Sequence, residues 1–510
     1  MSADDCRPSV ALLTLGCKVN QYDTEALAEA LREAGWEVSF GLDEGGPDPD
    51  VVIVNSCVVT ARAEAKSRQA ARKAAKEHPG SRVVLAGCYP QVAPAAAGGV
   101  AGLAGTVGTG RQETVRLVQS LVGAEKPAAR AGREARPDSF GPLPAEYESL
   151  PITARAGRVR AFLKVQEGCA NDCAYCIVPL ARGPERSRPL ADAVEQARGL
   201  LAGGARELVL TGIRLGAYGT ERGWAGGERA VAGGSGAAGE RERAEARAAL
   251  VDLVVACLEL PGLVRVRLSS IEPTDIPPDL LAVMAADPRA CPHLHVPLQS
   301  GSDSVLRRMG RRYDTAGYRA VIEDARRAVP GLAVSTDVMV GFPCETEAEF
   351  AETLAFVRRI GFTRLHVFPY SRRPGTAAAG MPGQVAARVR AERAKMLTQA
   401  GRELALSFHL GLVGRVEEVL VERQPKPLGR DAAEEPQAGD PASGIDTDAR
   451  YVTEGLTARY VRVELLSSGK LALGDLVAAR LVEARTGDMA GVAIDIRDKA
   501  GGVDRDTARA

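Results

Sequence analysis

Short apolar runs alternate with longer stretches of helical periodicity along the amino-terminal part of the chain. The runs SVALLTLGC, DVVIVNSC and SRVVLAGC have the length and the β-branched content of buried strands. Between them, NQYDTEALAEALREAG and ARAEAKSRQAARKAAKEH carry apolar residues at helical spacing. This order of strands and helices predicts an open parallel α/β sheet over residues 1–125.

The alternation resumes at residue 159, after a Pro-, Ala- and Arg-rich linker over 126–158. Strand-like segments then alternate with helical patterns up to residue 395: RAFLKVQ, ELVLTG, VRVRLSS, HLHVPLQ, AVSTDVMVG and RLHVFPY. Six such units predict a partial (β/α)6 barrel whose ligands bind at the carboxyl ends of the strands. Residues 221–246 are rich in Gly, Ala and charge without apolar periodicity, which predicts a surface insertion.

A third region, over 405–485, contains short alternating segments such as VGRVEEVLVE and RYVRVEL. Segments of this kind are typical of a small β-barrel. A polar, Pro-containing insertion over 424–449 interrupts the region, and residues 486–510 are expected to form a tail. The chain as a whole is therefore predicted to be an α/β protein with a β-rich carboxy-terminal domain.

Charge balance, apolar runs and cysteine count limit the kinds of protein that this chain can be. The 510 residues contain 65 Lys and Arg against 65 Asp and Glu, so a nucleic-acid partner must be held by local basic patches. No apolar run approaches the roughly 20 residues that span a bilayer, and the start MSADDCRPSV lacks a signal-peptide pattern. We therefore expect a cytoplasmic protein without membrane contact. Ten cysteines are too few for a disulfide scaffold, so clustered cysteines indicate metal binding or catalysis.

The segment QEGCANDCAYCIVP follows the first strand of the predicted barrel and contains Cys169, Cys173 and Cys176. A structural zinc site normally has four ligands, and His78 and His293 are distant in sequence, so zinc is the weaker alternative. A 4Fe–4S cluster held by three thiolates keeps one iron open. That iron can bind the amino and carboxylate groups of S-adenosylmethionine and promote its reductive cleavage.

Three further cysteines, Cys17, Cys57 and Cys88, each follow one strand of the predicted amino-terminal sheet. Ligands of open α/β sheets bind at the carboxyl ends of the strands, so these three thiols can lie close together at one edge of the sheet. A lone cysteine at a strand end is more often a small buried hydrophobic residue, and both interpretations remain open on this pattern alone.

The cysteine motif and its context resemble the radical-SAM methylthiotransferase family. The resemblance covers nearly the whole chain and includes TLGCKVNQYDTE, VNSCVVT, AGCYPQ, LTGIRLGAYG, LSSIEP, HLHVPLQSGSDSVLRRMGRRY and HVFPYSRRPGT. The first and last of these are most similar to the MtaB-type branch, which acts on N6-threonylcarbamoyladenosine beside the tRNA anticodon. One departure is Cys344 in GFPCETEAEF, where the family commonly has Gly.

The resemblance implies methylthiolation of C2 of that adenosine, with S-adenosylmethionine as methyl donor and radical source. It implies two 4Fe–4S clusters: Cys169, Cys173 and Cys176 hold the catalytic one, and Cys17, Cys57 and Cys88 hold one that carries the sulfur. It also implies a TRAM-like RNA-binding barrel, tRNA as partner, and an electron donor such as a flavodoxin or ferredoxin. The alternatives are isopentenyladenosine in tRNA or a ribosomal-protein aspartate as acceptor, and a non-catalytic, metal-stabilised RNA-binding protein.

Several residues are expected to contact the two ligands. Candidates for the cofactor follow barrel strands: Gly212, Gln299, Ser300 and Asp337. Candidates for RNA are the arginines Arg182, Arg186, Arg188, Arg372 and Arg373, together with the basic helix of Arg62, Lys66, Arg68, Arg72, Lys73 and Lys76. The carboxylate of threonylcarbamoyladenosine requires a cationic partner, and we expect Arg182 in that role, with Arg372 and Arg373 as alternatives.

Overall fold

The computed structural model describes residues 7–42, 46–121, 143–153, 158–220, 237–428 and 449–494. They form three domains in chain order: a parallel α/β sheet, a partial (β/α) barrel and a small closed β-barrel. This architecture confirms the predicted fold class.

The amino-terminal domain is a five-stranded sheet in the order β2-β1-β3-β4-β5, with all pairs parallel. Its strands are β1 Ser9–Thr14, β2 Glu37–Phe40, β3 Val51–Ser56, β4 Arg82–Gly87 and β5 Leu103–Thr106. Its helices are α1 Lys18–Glu33, α2 Ala61–Glu77, α3 Cys88–Val92, α4 Pro94–Gly98 and α5 Arg111–Leu121. Strand β3 is buried along its whole length, which explains its continuous apolar sequence.

The central domain is a partial barrel of six parallel strands. They are β6 Arg160–Lys164, β9 Glu207–Thr211, β10 Arg265–Leu268, β11 His293–His295, β12 Ala333–Val340 and β13 Arg364–Pro369. The ladders β6–β9–β10 and β11–β12–β13 are joined by single bridges such as Ser270 to His295. A short hairpin, β7 Gln166–Glu167 and β8 Arg186–Ser187, frames the first loop above the barrel.

Helices surround this barrel. They are α6 Val178–Arg182, α7 Leu190–Ala202, α8 Ala237–Leu258, α9 Pro278–Ala286, α10 Asp303–Arg308, α11 Thr315–Ala328, α12 Glu347–Ile360, α13 Ala377–Gly380 and α14 Ala387–Leu410. Local signals set their ends: α12 begins with a capping box between Thr346 and Glu349 and stops at the left-handed Gly361. Apolar strand residues such as Val266 and Val334 pack against the helices and form the core. The residues that alternate with them along each strand point to the opposite face, into the interior of the barrel, which we call the lumen.

The carboxy-terminal domain is a closed five-stranded barrel. Its strands are β14 Val416–Val421, β16 Tyr451–Thr457, β17 Arg462–Ser467, β18 Leu476–Ala484 and β19 Met489–Ala493, with the short β15 Lys426–Pro427 beside β16. The order β14-β18-β19-β17-β16 closes through pairing of β14 with β16. Closure removes exposed strand edges and encloses a core that includes Val463 and Leu481.

Two sequence-based boundaries differ from the observed elements. Helix α8 begins at Ala237, so residues 237–246 of the predicted insertion are helical, while residues 221–236 lie outside the described part. Strand β19 lies in the segment assigned to the tail, because the parallel β17–β19 pair and the antiparallel β18–β19 pair are needed to complete the barrel. Of the insertion at 424–449, residues 429–448 lie outside the described part.

Five buried charged side chains join the first two domains. Asp23 on α1 and Arg111 on α5 meet Lys164, Glu167 and Arg182 of the barrel domain. Burial alone would raise the pKa of Asp23, but Lys164, Arg182 and Arg111 lower it below its usual range. Each carboxylate contacts all three cations. Removing the side chains that one domain contributes would therefore leave the buried charges of the other domain without partners.

The third domain closes the amino-terminal end of the barrel with the turn between β16 and β17. Tyr460 in this turn stacks on His293 with a ring-centroid distance of 4.8 Å and lies 4.9 Å beneath the Arg267 guanidinium. Arg267 also donates to the carbonyl oxygens of Ala458 and Thr457 at 2.9 and 3.2 Å. We call this layer the floor of the lumen. It includes Arg160, Glu207, Arg265, Arg267, His293 and Tyr460.

Arg182→Met and Lys164→Met should each lower the free energy of unfolding by about 3–5 kcal/mol, because both remove a partner from buried carboxylates. Arg62→Met, at an exposed position of α2, should change it by less than about 0.5 kcal/mol. Urea denaturation of the iron-free protein, followed by circular dichroism, measures these differences. A near-neutral Arg182→Met variant would contradict a structural role for the network.

Tyr460→Ala should weaken the attachment of the third domain, because it removes the ring stack and the cation–π contact while the backbone keeps φ at 66°. Tyr460→Gly removes the same contacts but relieves the left-handed backbone, so it should be less destabilising by about 1 kcal/mol. Hydrogen exchange of the β16–β17 turn distinguishes the two variants. Equal protection in both would show that the backbone at this position is not strained.

Candidate functional site

The structure brings Cys17, Cys57 and Cys88 together at the carboxyl edge of the amino-terminal sheet. The sulfurs of Cys17 and Cys88 each lie 3.8 Å from Asn20 Oδ1. A Cβ atom at Gly16 would lie 3.0 Å from the sulfur of Cys57, so only glycine fits beside it, at a φ of 112°. Three sequence-distant thiols therefore border one small space, as the strand-end argument predicted.

Arg182 supplies positive charge to this space. Its Nε atom lies 3.3 Å from the sulfur of Cys88, and its Nη2 atom donates to Asn20 Oδ1 at 2.6 Å. Burial raises the pKa of the Cys88 thiol to about 12, and Arg182 opposes this rise. Burial also raises the pKa of Cys57. Thiols of this kind become thiolates when a metal replaces the proton, which suits a buried metal cluster.

The second cysteine set lies on the loop after β6, above the barrel. Cys169 donates its backbone N–H to the carbonyl oxygen of Gly183 at 2.9 Å. Residue Ala174 in the middle of the loop bonds to the carbonyl of Met309 at 2.9 Å and accepts from the N–H of Ala378 at 2.7 Å. Three separate parts of the barrel therefore hold the loop in place.

Two polar donors reach the sulfurs of this loop. Arg311 Nη1 lies 3.3 Å from the sulfur of Cys173, and the N–H of Asn171 donates to the sulfur of Cys169 at 3.4 Å. Burial raises the pKa of Cys169 to about 11 and that of Cys176 to about 12. As in the first cysteine set, nitrogen donors lie next to buried thiols. These thiols would lose their protons when a metal binds to the sulfurs.

The spacing of the sulfurs separates a single ion from a cluster. A zinc ion with thiolates at about 2.3 Å would hold its sulfurs about 3.8 Å apart. In neither cysteine set do the three sulfurs all lie within 4.8 Å of one another. The wider spacing fits a polynuclear iron–sulfur cluster with three protein ligands, and it disfavours the zinc alternative.

A single short helix connects the two sets. Cys176 precedes α6, and Arg182 at the end of α6 contacts Cys88 of the other set. The five residues of α6 rise by only about 7.5 Å. Ile177 and Ala181 pack into the core of the amino-terminal domain, so this domain and the cysteine loop form one unit.

The residues predicted to contact S-adenosylmethionine lie in different surroundings. Asp337 faces the lumen, where His295 Nε2 lies 3.2 Å from its Oδ1 atom. His366 completes a layer whose ligand atoms all lie within 4.8 Å, and two imidazoles with one carboxylate are also a ligand set for a divalent metal. Gln299 has a left-handed φ of 65° and pairs with the strand beside Asp337, the kind of backbone that often marks a functional site.

Two other candidates have structural explanations. A Cβ atom at Gly212 would lie 2.9 Å from the side chain of Gln166, so packing alone requires glycine there. Ser300 is buried and hydrogen-bonds to the hydroxyl of Thr353 at 3.2 Å. A cofactor contact by Gly212, Gln299, Ser300 or Asp337 stays a prediction.

The predicted RNA contacts require a correction. Arg182, Arg186, Arg188 and Arg373 are at most 5% exposed, so RNA cannot reach their guanidinium groups in this structure. Their partners lie within the protein. Arg182 belongs to the buried network, Arg186 bonds to the carbonyl of Arg182 at 2.8 Å, Arg188 bonds to Tyr22 and Asp192, and Arg373 pairs with Glu64 across the domain boundary.

The remaining basic candidates lie at the surface. Arg372 is exposed, as are Arg62, Lys66, Arg72, Lys73 and Lys76 on α2, and Arg68 is half-buried beside Glu64. These residues stay candidates for phosphate contacts. Cys344 adopts a φ of 62°, the left-handed backbone that favours glycine, so the departure from the family pattern carries local strain.

Sequence reasoning named Asp337 but missed two histidines beside it and one arginine. His295 and His366 lie on the strands adjacent to that of Asp337, and Arg311 reaches the sulfur of Cys173. The period of two along the strands was a usable signal for the histidines, since polar residues alternate with apolar ones in HLH and RLHV. The position of Arg311 depends on tertiary structure alone, because Cys173 is 138 positions away in the chain.

Comparisons with known protein families also separate the amino-terminal domain from the barrel domain. Residues 163–357 match the model of the radical SAM superfamily, and residues 9–101 match that of the uncharacterized protein family UPF0004. Each match contains one of the two cysteine sets. No helix in the described part of the chain is long and apolar enough to cross a membrane.

Two curated relatives and one solved structure resemble most of the chain. The threonylcarbamoyladenosine tRNA methylthiotransferase MtaB of Bacillus subtilis is 35% identical over 468 residues, which cover 90% of this chain and 94% of the relative. The tRNA-2-methylthio-N(6)-dimethylallyladenosine synthase of Sorangium cellulosum is 36% identical over 445 residues, 84% of each chain.

The solved structure of the radical S-adenosylmethionine methyltransferase TsrM from Kitasatospora setae is 17% identical, with a TM-score of 0.51 over 73% of this chain and 77% of that one. At this identity the likeness concerns the fold alone. The identities of the curated relatives and their coverage carry the assignment further: the chain belongs to the radical-SAM methylthiotransferases, enzymes that transfer a methylthio group to tRNA with S-adenosylmethionine and two 4Fe–4S clusters.

Proposed function

We propose that this enzyme methylthiolates C2 of N6-threonylcarbamoyladenosine next to the tRNA anticodon. The observation that carries the proposal is the placement of the two open cysteine sets on either side of α6. The similarity to the Bacillus subtilis relative supports this acceptor. An anticodon-loop base can be splayed into such a pocket at lower cost than a base inside a duplex.

The residues of the chain position the reacting groups. Cys169, Cys173 and Cys176 would hold one cluster and Cys17, Cys57 and Cys88 the other, and each three-thiolate set leaves an iron without a protein ligand. When bound, the clusters and S-adenosylmethionine supply the electron, the radical and the sulfur that an unactivated C–H bond requires. Arg311 and Arg182 place positive charge against the sulfurs of Cys173 and Cys88.

Isopentenyladenosine in tRNA is the alternative acceptor, and the similarity to the Sorangium cellulosum relative favours it. That side chain is apolar and uncharged, whereas the lumen contains Asp337, His295 and His366 near one another. Because His295 and Asp337 already pair with each other, these residues do not decide between the two nucleosides. The threonylcarbamoyl acceptor is favoured by the similarity to the Bacillus subtilis relative and by the segments TLGCKVNQYDTE and HVFPYSRRPGT. A ribosomal-protein acceptor, a flavodoxin or ferredoxin as electron donor and a cytoplasmic location stay predictions.

Nucleoside mass spectrometry of tRNA identifies the acceptor. Cells without the gene should lose methylthio-threonylcarbamoyladenosine and retain the unmethylthiolated nucleoside, because that nucleoside is the substrate of the proposed reaction. Restoring the gene should restore the product. Loss of methylthio-isopentenyladenosine instead, or unchanged tRNA together with a missing methylthio group on a ribosomal protein, would overturn this acceptor.

The two cysteine sets should differ in the reaction that they support. Cys173→Ala removes a ligand of the cofactor-cleaving site, so 5′-deoxyadenosine and methylthiolated RNA should both disappear. Cys57→Ala should retain about half the iron and still form 5′-deoxyadenosine, but make no methylthiolated RNA. Both products are measured after anaerobic reconstitution, with Cys257→Ala as a control at a buried cysteine outside both sets.

Product formation by Cys57→Ala, or cofactor cleavage by Cys173→Ala, would contradict this assignment of the two sets.

A further inference from the structure

Three side chains that can bind a metal ion meet inside the barrel, apart from both cysteine sets. They are His295 of β11, Asp337 of β12 and His366 of β13, and these strands are adjacent and parallel. Each side chain offers one ligand atom, and the three atoms all lie within 4.8 Å of one another. The group therefore has the close spacing that a single ion requires, which neither cysteine set has.

The strand ladders fix the relative positions of these side chains. Asp337 is paired with His366 in the β12–β13 ladder, and His295 is paired with Ser335, two residues before Asp337. Residues two apart on a strand point to the same face of the sheet, so all four side chains share one face. Because the ligands lie on regular strands rather than on loops, they need little rearrangement to bind an ion.

The distances between the side chains suit a shared ion. His295 Nε2 lies 3.2 Å from Asp337 Oδ1. Two ligand atoms on one tetrahedral zinc ion are about 3.3–3.6 Å apart, which is close to this separation. The ring of His366 lies 5.7 Å from that of His295, and His366 makes no hydrogen bond with any residue that the structure describes. No competing contact in the described part of the chain therefore holds its ligand atom away from an ion.

Ser335 supports His295 on the side away from Asp337. Its hydroxyl oxygen lies 3.0 Å from His295 Nδ1 and 3.0 Å from His293 Nε2. A hydroxyl has one proton, so it can donate to only one of these rings and accepts from the other. When it accepts from Nδ1–H of His295, Nε2 of that ring carries the lone pair that a metal requires. Metal-binding histidines are commonly held by such a hydrogen bond from their second ring nitrogen.

The ligand types indicate the class of ion. Two imidazoles with one carboxylate suit divalent transition metals such as Zn²⁺, whereas Ca²⁺ and Mg²⁺ prefer oxygen ligands alone. The side chains of His295 and Asp337 are 14% and 28% exposed, so an ion can reach them from solvent. The group contains no thiol, so it is not a site for an iron–sulfur cluster.

We propose that His295, Asp337 and His366 form a mononuclear binding site for a divalent transition-metal ion, separate from both cluster sites. Ser335 is a positioning residue that acts through His295. Three protein ligands leave a bound zinc ion at least one further coordination position. The site goes beyond the proposed function, because the reactions assigned to the two cysteine sets do not require it.

The test is equilibrium dialysis of the anaerobic, cluster-loaded enzyme against buffered Zn²⁺, followed by elemental analysis of zinc and iron. Wild type should bind one zinc ion per chain without loss of iron, because the clusters occupy the cysteines. Asp337→Asn and His366→Gln should each weaken zinc binding by more than about 100-fold, since outer hydrogen-bond partners alone contribute about 10- to 100-fold. Ser335→Ala, which removes such a partner, should weaken it by about 10-fold.

His78→Gln is the matched control. His78 Nδ1 and Asp48 Oδ1 form another histidine–aspartate pair, 2.8 Å apart, that has no third ligand in the described part of the chain. This variant should bind zinc as wild type does. Iron content and circular dichroism show whether each variant is folded.

X-ray absorption at the zinc edge of the wild-type enzyme identifies the ligand atoms. Two imidazoles with oxygen ligands and no sulfur would support the site even where a variant fails to fold, because only this group of described residues brings two histidines and a carboxylate together. Wild type without bound zinc, sulfur ligands in the spectrum, or unchanged zinc binding by folded Asp337→Asn and His366→Gln would overturn the proposal.

Discussion

The buried network of Asp23, Arg111, Lys164, Glu167 and Arg182 is the constraint on which the rest of the site depends. Two carboxylates and three cations from two domains share one solvent-free space. Neither domain can separate without exposing unpaired buried charges, so their relative position is strongly specified. The cysteine set of the first sheet and the cysteine loop of the barrel therefore lie at the two ends of the short helix α6.

The surplus positive charge of this network has a second consequence. One guanidinium, that of Arg182, extends beyond the carboxylates to the sulfur of Cys88. The same principle recurs at the barrel loop, where Arg311 reaches the sulfur of Cys173 and also pairs with Glu272. In both places a buried arginine faces a thiol whose ionisation needs stabilisation, and this arrangement suits electron-rich thiolate ligands rather than nucleic-acid phosphates.

The third domain closes the amino-terminal end of the barrel. Its Tyr460 turn forms the floor, where arginines of the barrel are held by Glu207 and by backbone carbonyl groups. Above the floor lies the layer of His295, Asp337 and His366.

The sequence by itself determined the order of the elements and the three domains, because these follow from local periodicity, and it placed the six cysteines on loops that follow strands. For Cys17, Cys57 and Cys88 that position alone left both a ligand role and a buried hydrophobic role open. Tertiary structure alone decided the roles of the charged residues. Arginine patterns such as ARGPERSR do not reveal whether a guanidinium meets water or a buried carboxylate, so Arg182 was assigned to RNA although it is buried with Asp23 and Glu167. Arg311 was missed for the same reason: it lies 138 positions from Cys173, whose sulfur it reaches only in the folded barrel.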